Sequence, residues 1–402
     1  MAKARIGIWL IGAKGGVAAT TIVGLTALKK GLVGTAGLVS QLPQFAHLDL
    51  AGWTDFVVGG HEIRRVSLRD EALRLVTESR TVTAELLAQC EGELRQIDER
   101  IRPGTILNVG RTIAELCDLE LPTGESPREA VDRLRQDVAQ FIRAESLEHV
   151  VVVNLASTEP PVAAALPSHW ADLARLLADP QTCPLPASSL YAIAALESGC
   201  SYINFTPSLG SAPAAIDELA RLCRSRHIGC DGKTGETLLK SVLAPMFARR
   251  NLRVLSWVGH NIFGNMDGKV LSDPANKQAK IASKDHLLHE ILGYRPQTHV
   301  SIEFIESLGD WKTAWDHVHF AGFLGTPMSL QFTWQGCDSV LAAPLVLDLV
   351  RFTELAWRRG HTGLMTFLAS FFKTPYGVTE HRFDRQFQML EDWARERMKD
   401  EG

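Results

Sequence analysis

IGIWLIGAKGGVAATTIVGLTALKK, residues 6–30, decides the reading of the fold. An apolar run rich in Ile, Leu and Trp ends in Gly12, followed by Gly15 and Gly16, and then by residues with helical spacing and a lysine-rich end. That order is a buried strand, a tight turn and a helix. Bare glycine backbone at the start of a helix lets anionic oxygens approach its N–H groups. The spacing departs from GxGxxG, and no acidic residue follows about 20 positions on to hold a ribose, so the turn by itself leaves dinucleotide binding open.

The same turn, KGGVAATT, resembles the KGGxGKTT phosphate loop of partition-type ATPases. In that loop a lysine reaches the terminal phosphates, and here the position is Ala19, preceded by Ala18 in place of glycine. Without this cation the site loses its main electrostatic stabiliser for phosphoryl transfer.

Working outward, residues 64–98 place Leu86, Cys90, Leu94 and Ile97 on one helical stripe whose other face is charged and wet. Ser126, Pro127 and Glu129 combine an N-cap, a first-turn proline and a capping-box acid, so a helix starts there. It leads into HVVVVNLASTEPP, whose consecutive valines suit a strand buried on both faces. Strands alternating with helices predict an α/β class with a parallel sheet.

After about residue 236 the pattern changes. Val300, Ile302 and Phe304 alternate with polar residues, as do Met328, Leu330, Phe332 and Trp334. Such strands are covered on one face only, which predicts an open, largely antiparallel sheet with helices on one side. The run from Asp338 to Trp357 is helical again and is expected to pack back on the first part, stopping near Gly360. The expected division is therefore 1–236 plus 338–402 for the parallel-sheet domain and 237–337 for an inserted α+β domain.

With 402 residues and 46% hydrophobic content the chain can build two cores. A net charge of −4 without a basic block argues against nucleic acid and acidic membrane surfaces as partners. Seven scattered cysteines form no CxxC or zinc spacing, and no apolar run approaches the roughly 18 residues of a membrane span. Reduced thiols in the cytoplasm, no bound metal and no signal peptide are the expectation.

Several polar, glycine-containing segments lie in order along the second half: GCDGKTGET (229–237), HNIFGNMDG (260–268), SKDHLLH (283–289), GDWK (309–312) and CDSVLAAPL (337–345). They resemble GDDxKSGQT, NHxGNxDG, SKxxxSK, GDSK and EDSLLATPL of the myo-inositol-phosphate synthases, and the likeness runs from Gly12 to Pro375. The resemblance implies an NAD-dependent cyclase with a Rossmann-type NAD-binding domain, assembled as a homotetramer through the inserted domain. Family enzymes oxidise glucose 6-phosphate at carbon 5, remove a proton from carbon 6, close the ring on the aldehyde and re-reduce the ketone.

Carried over residue by residue, the resemblance implies catalytic roles for Lys284, Lys312 and Lys373, with Asp310 orienting or tuning Lys312. It implies substrate contacts from Thr234, Gly235, Phe263, Asn265 and Asp267. Cofactor contacts fall on Gly12, Gly15, Gly16, Val17, Ala18, Glu62, Ala156, Thr158, Asp231, Asp338 and Ser339. A further family lysine, four residues after Lys284, is Leu288 here, and His286 or His289 are the nearest replacements for that charge. This change admits a related substrate such as fructose 6-phosphate; a sensor that kept the fold without turnover is the non-enzymatic alternative.

Overall fold

The computed structural model describes residues 5–179, 182–265, 268 and 288–396. Ile6–Ile11 forms strand β1, buried along its whole length, and helix α1 (Gly16–Lys29) follows the glycine turn. Strand β2 (Phe56–Glu62), short β3 (Ile101–Pro103), β4 (His149–Asn154), β5 (Ser201–Asn204) and β6 (Arg226–Gly229) join β1 in one sheet. Its order is β3-β2-β1-β4-β5-β6, with a two-residue strand at Gly363–Leu364 added beyond β6, and every pair is parallel. This is the doubly wound order in which β1 and β4 are neighbours although their helices leave toward opposite faces. A crevice opens where they part, at the carboxyl ends of both strands.

The valines of β4 are buried on both faces, as their run predicts, because helices cover each side. The charged stretch after β2 is two helices instead of one: α2 (Leu68–Thr77) and α3 (Ala84–Asp98), capped by the side chains of Ser67 and Thr83. The buried stripe of α3 is Leu87, Cys90, Leu94 and Ile97, with Leu86 only half-buried. The capping box predicted at Ser126 and Glu129 is formed and opens the helix Pro127–Glu145. The long connection between α1 and β2, residues 30–55, moves the acidic residue at the end of β2 to Glu62, far beyond the usual spacing from the glycine turn.

A second sheet contains β7 (Arg253–Phe263), β8 (Gln297–Phe304), β9 (Trp311–Ala321) and β10 (Pro327–Cys337), in the order β10-β9-β7-β8. β7–β9 and β9–β10 are antiparallel, while β7–β8 is parallel, so the sheet is mixed rather than wholly antiparallel. Phe247 and Ala244 of the helix Gly235–Arg249 pack on Trp257, Val254 and Val318 to form its covered face. The other face carries His260, Trp315, His317 and Thr333, with the Trp315 ring stacked on His260 at 5.8 Å.

From Cys337 the chain turns directly into the helix Asp338–Arg358, whose inner side joins the core around α1. The chain thus returns to the first sheet as the sequence predicts, and Gly360 in a left-handed conformation (φ +71°) follows the helix. No helix among the described residues is long and apolar enough to cross a membrane.

Candidate active site

A cleft of about 660 Å³ runs from the carboxyl ends of β1, β2 and β4 to the ends of β7 and β9. At its first end, Gly12 adopts φ +73°, and a Cβ there would lie 2.9 Å from Cα of Ala156. The turn therefore requires glycine, both for its left-handed backbone and for the approach of the β4 loop. Gly15 and Gly16 start α1, which has no side-chain N-cap and no acid in its first turn, so its leading N–H groups face the cleft uncovered. Val17, Ala156 and Thr158 line the same end. Ala18 does not: it is fully buried in the core of α1, because the helix turns it away from the cleft.

Glu62 ends β2 with its carboxylate at the cleft. Its Oε2 accepts from the Lys14 N–H at 2.9 Å and its Oε1 from the Ile63 N–H at 2.8 Å. The carboxylate is thereby fixed in a site only 4% exposed.

The opposite end is built where strand ends meet. Thr313 on β9 pairs with Ile262 on β7, which sets Lys312 beside Phe263; the ammonium lies 5.0 Å from that ring centroid and 3.8 Å from a carboxylate oxygen of Asp338. Asp310 has a different set of partners from the one expected. Its Oδ1 accepts from Asn265 Nδ2 at 3.2 Å, and its Oδ2 accepts from the Ser339 N–H at 3.1 Å, from the Ser339 hydroxyl and from the Cys337 thiol. The carboxylate within ion-pair reach of Lys312 is Asp338, and Asp310 instead ties the Asn265 turn to the start of helix Asp338–Arg358. Ser339 is spent on that tie and fully buried, so its side chain does not reach the cleft.

Lys373 arrives from the far end of the chain. Its Nζ donates to Asp231 Oδ1 at 2.8 Å and its N–H to the Asp231 carbonyl at 2.7 Å, while the Lys233 N–H donates to Phe371. These contacts clamp two segments into one wall. Lys312, Lys373, Thr234, Thr237, Phe263 and Asn261 then surround a small recess adjoining the cleft. Gly235, at φ +53° beside the Trp334 ring, shapes the turn from behind and is not in the lining. Lys284 and Asp267, with His286, lie outside the described residues. Leu288 is buried among Phe247, Trp257 and Val318, and neither it nor His289 borders the cleft.

Four residues in or directly behind the walls of the site, Lys233 being outside the lining, were not singled out from sequence. Asn261 is fully buried, lines the recess, and neither atom of its amide has a hydrogen-bond partner among the described residues. A polar residue at an inward position of β7, between Gly259 and Phe263, was the available signal. Lys233 is buried with its ammonium donating to Gln386, and burial, reinforced by the charge of Lys373, pulls it down to about 7. Glu159, held by the N–H and hydroxyl of Ser188, is pushed up to about 7 by burial. Arg64 lies over Glu62 at the cleft rim.

Residues 6–395 match the NAD-binding family model described as myo-inositol-1-phosphate synthase. The chain belongs to the myo-inositol-1-phosphate synthase family. It is 32% identical to inositol-3-phosphate synthase 1 of Bacteroides thetaiotaomicron, over 95% of this chain and 92% of that protein. With inositol-3-phosphate synthase 1-A of Xenopus laevis the identity is 29%, and the alignment takes in 76% of this chain but 54% of that protein, about half its length. In fold, the chain resembles inositol-3-phosphate synthase of Caenorhabditis elegans (TM-score 0.85, 23% identity, 98% of this chain and 86% of that chain). It also resembles a myo-inositol-1-phosphate synthase-related protein of Thermotoga maritima (TM-score 0.76, 24% identity, 97% and 98%).

The residues present fit the dinucleotide of this family. The glycine turn leaves no room for a side chain at Gly12, the first turn of α1 is uncapped and free of acids, and Glu62 offers a carboxylate at the end of β2. A diphosphate suits the first two features and a ribose hydroxyl the third.

Proposed function

We propose that the chain converts glucose 6-phosphate to 1D-myo-inositol 3-phosphate, with NAD recycled within each turnover. The observation that carries this reading is the convergence of Lys312 and Lys373 on one recess with Asn261 and Thr234, continuous with the dinucleotide end of the cleft. Bound NAD supplies the acceptor for a hydride from the sugar and the donor that later returns it. The remaining demands are charge on oxygen, which fixed ammonium groups and a polarised wall can meet in a site poor in water, and removal of the carbon 6 proton, which the substrate's own phosphate can accept.

In this reading Lys312 neutralises the oxygen of the carbon that is oxidised, and the nearby Asp338 helps to aim its ammonium. Lys373, anchored by Asp231, stabilises the aldehyde oxygen as the ring closes and supplies a proton to it. Lys284 completes the set near the oxidised carbon. Thr234, Gly235, Phe263, Asn265 and Asp267 shape the seat of the phosphorylated sugar, and Asp310 holds that seat to helix Asp338–Arg358. Holding the open-chain sugar ready to cyclise replaces a large entropic cost by prior binding. Gly12, Gly15, Gly16, Val17, Glu62, Ala156, Thr158 and Asp231 serve the cofactor; Ala18 and Ser339 serve it only by supporting the fold around it.

The division into 1–236 plus 338–402 and 237–337 belongs to the same proposal, the first carrying the cofactor and the second the sugar. So does a homotetramer: the uncovered face of the second sheet is nearly uncharged and carries Trp315 and Thr333, which suits packing against another copy. A cytoplasmic site agrees with all seven cysteines being free thiols.

Burial of Leu288, where relatives carry a lysine, favours a second reading, cyclisation of fructose 6-phosphate. The test is product analysis by NMR after incubation with each sugar phosphate and substoichiometric NAD. Cyclitol phosphate from glucose 6-phosphate, without accumulating NADH, is expected. NADH formed in step with substrate consumed would overturn the cyclase, and turnover of fructose 6-phosphate alone would select the second reading. Tight sugar-phosphate binding without product would point to a sensor.

A further inference from the structure

The cofactor end of the cleft holds more charge than one ribose needs. Beside Glu62, the Arg64 guanidinium donates to the Lys14 carbonyl at 2.7 Å and lies 3.4 Å from each oxygen of Glu62. Its remaining nitrogen sits 3.5 Å from Glu71, which is also 3.6 Å from Arg74, and Arg74 is bound in turn to Glu78 at 2.9 and 3.0 Å. All five side chains line the cleft, so three carboxylates face two guanidinium groups there. Glu71 and Glu62 are buried, whereas the Arg64 side chain is 22% exposed and can meet a ligand.

In a doubly wound sheet the acid at the end of the second strand accepts from the adenosine 2′-hydroxyl and repels a 2′-phosphate, whereas a neighbouring arginine accommodates that phosphate. This chain carries both, with the arginine folded down on the acid. We infer that Arg64 is a latent anchor for a 2′-phosphate, held silent by Glu62 and Glu71, so that these carboxylates make the site select NAD over NADP. The inference rests on the NAD reading above. The physical reason is twofold. A phosphate entering here meets the fixed charge of Glu62 at short range, and the donors of Arg64 that could compensate are already engaged by Glu62, Glu71 and Lys14. Removing one negative charge changes both terms in the same direction.

Titration of the purified chain, stripped of nucleotide, with NAD, NADP and adenosine 2′,5′-bisphosphate, followed by calorimetry, tests this without an activity assay. The unaltered chain is expected to bind NAD and to bind both 2′-phosphorylated ligands far more weakly. Glu62→Gln is expected to weaken NAD and tighten both 2′-phosphorylated ligands by at least about tenfold, the size of one charge-assisted contact. Adding Arg64→Met is expected to abolish that gain. Far-UV circular dichroism checks folding; if Glu62→Gln does not fold, Glu71→Gln carries the test and should tighten the same ligands severalfold. A folded variant with no gain, or a gain that survives Arg64→Met, overturns the inference while leaving the NAD reading intact. Failure of the unaltered chain to bind NAD overturns both.

Discussion

Lys373 Nζ lies 2.8 Å from Asp231 Oδ1, and the same two residues are joined again through their backbones at 2.7 Å. This double tie brings a lysine near the chain's end to the turn before helix Gly235–Arg249. Lys373→Met is expected to lower kcat by about 10²- to 10⁴-fold, the usual size of a lost acid or charge stabiliser. Asp231→Asn keeps the backbone tie and loses the charge, so a loss of about 1.5–3 kcal/mol in urea unfolding is expected, with a smaller fall in activity. Equal kcat losses in both variants would mean that Lys373 acts only through the tie.

Gly12→Ala places a methyl group against the Ala156 backbone at a φ of +73°. A destabilisation of about 1–2 kcal/mol from the left-handed backbone alone is expected, with more from the clash, and NAD affinity should fall because the turn and the β4 loop must separate. Thermal unfolding with and without NAD measures both. An unchanged NAD-induced rise in Tm would show that the turn does not hold the dinucleotide.

Lys240, Glu236 and Asp316 are buried beneath the second sheet; the ammonium donates to Glu236, stands 3.6 Å from Asp316, and Asp316 accepts from the Trp257 indole at 2.7 Å. Lys240→Met removes the buried cation from this cluster and leaves its carboxylates short of one charged partner. A loss of about 3–5 kcal/mol is expected in denaturant unfolding at neutral pH. A deficit no larger than that of an exposed ion pair, below about 1 kcal/mol, would contradict this account.

Glu159 has its carboxyl pushed up to about 7 from an ordinary 4.5, chiefly by burial. The folded state therefore binds a proton more tightly than the unfolded chain. Its stabilising contribution is present below about 4.5 and is lost as pH rises through about 7. Glu159→Gln keeps an acceptor for the Ser188 N–H and removes the ionisation. The variant should lose this component of the pH dependence between pH 4.5 and 7 and be relatively more stable above pH 7. A pH–stability difference curve that is flat across this window would refute the assignment.

Much of the fold was legible because its signals are short-range. The run Ile6–Ile11, the valines of β4, the capping box at Ser126 and the alternation in β8 and β10 each fix a local element through neighbours a few residues away. The split of α2 from α3 depended on the Ser67 and Thr83 caps, which are weaker marks than an apolar stripe. Of the site, the glycine turn, Lys312 and Lys373 could be named, yet the neighbours of those two lysines could not.

What the sequence by itself determined is most of the strands and helices, the absence of any disulfide or zinc spacing among its cysteines and the polar turns that resemble a family of cyclases. Only the tertiary structure decided that Asp310 holds Ser339 and Asn265 while Asp338 faces Lys312, that Ala18 and Leu288 belong to cores, and that Asn261 joins the recess. The reason is that helix and strand periodicity report which side of an element is apolar. Which polar groups meet depends on how the ends of two sheets and the returning chain pack together, and that is set by contacts far apart in sequence.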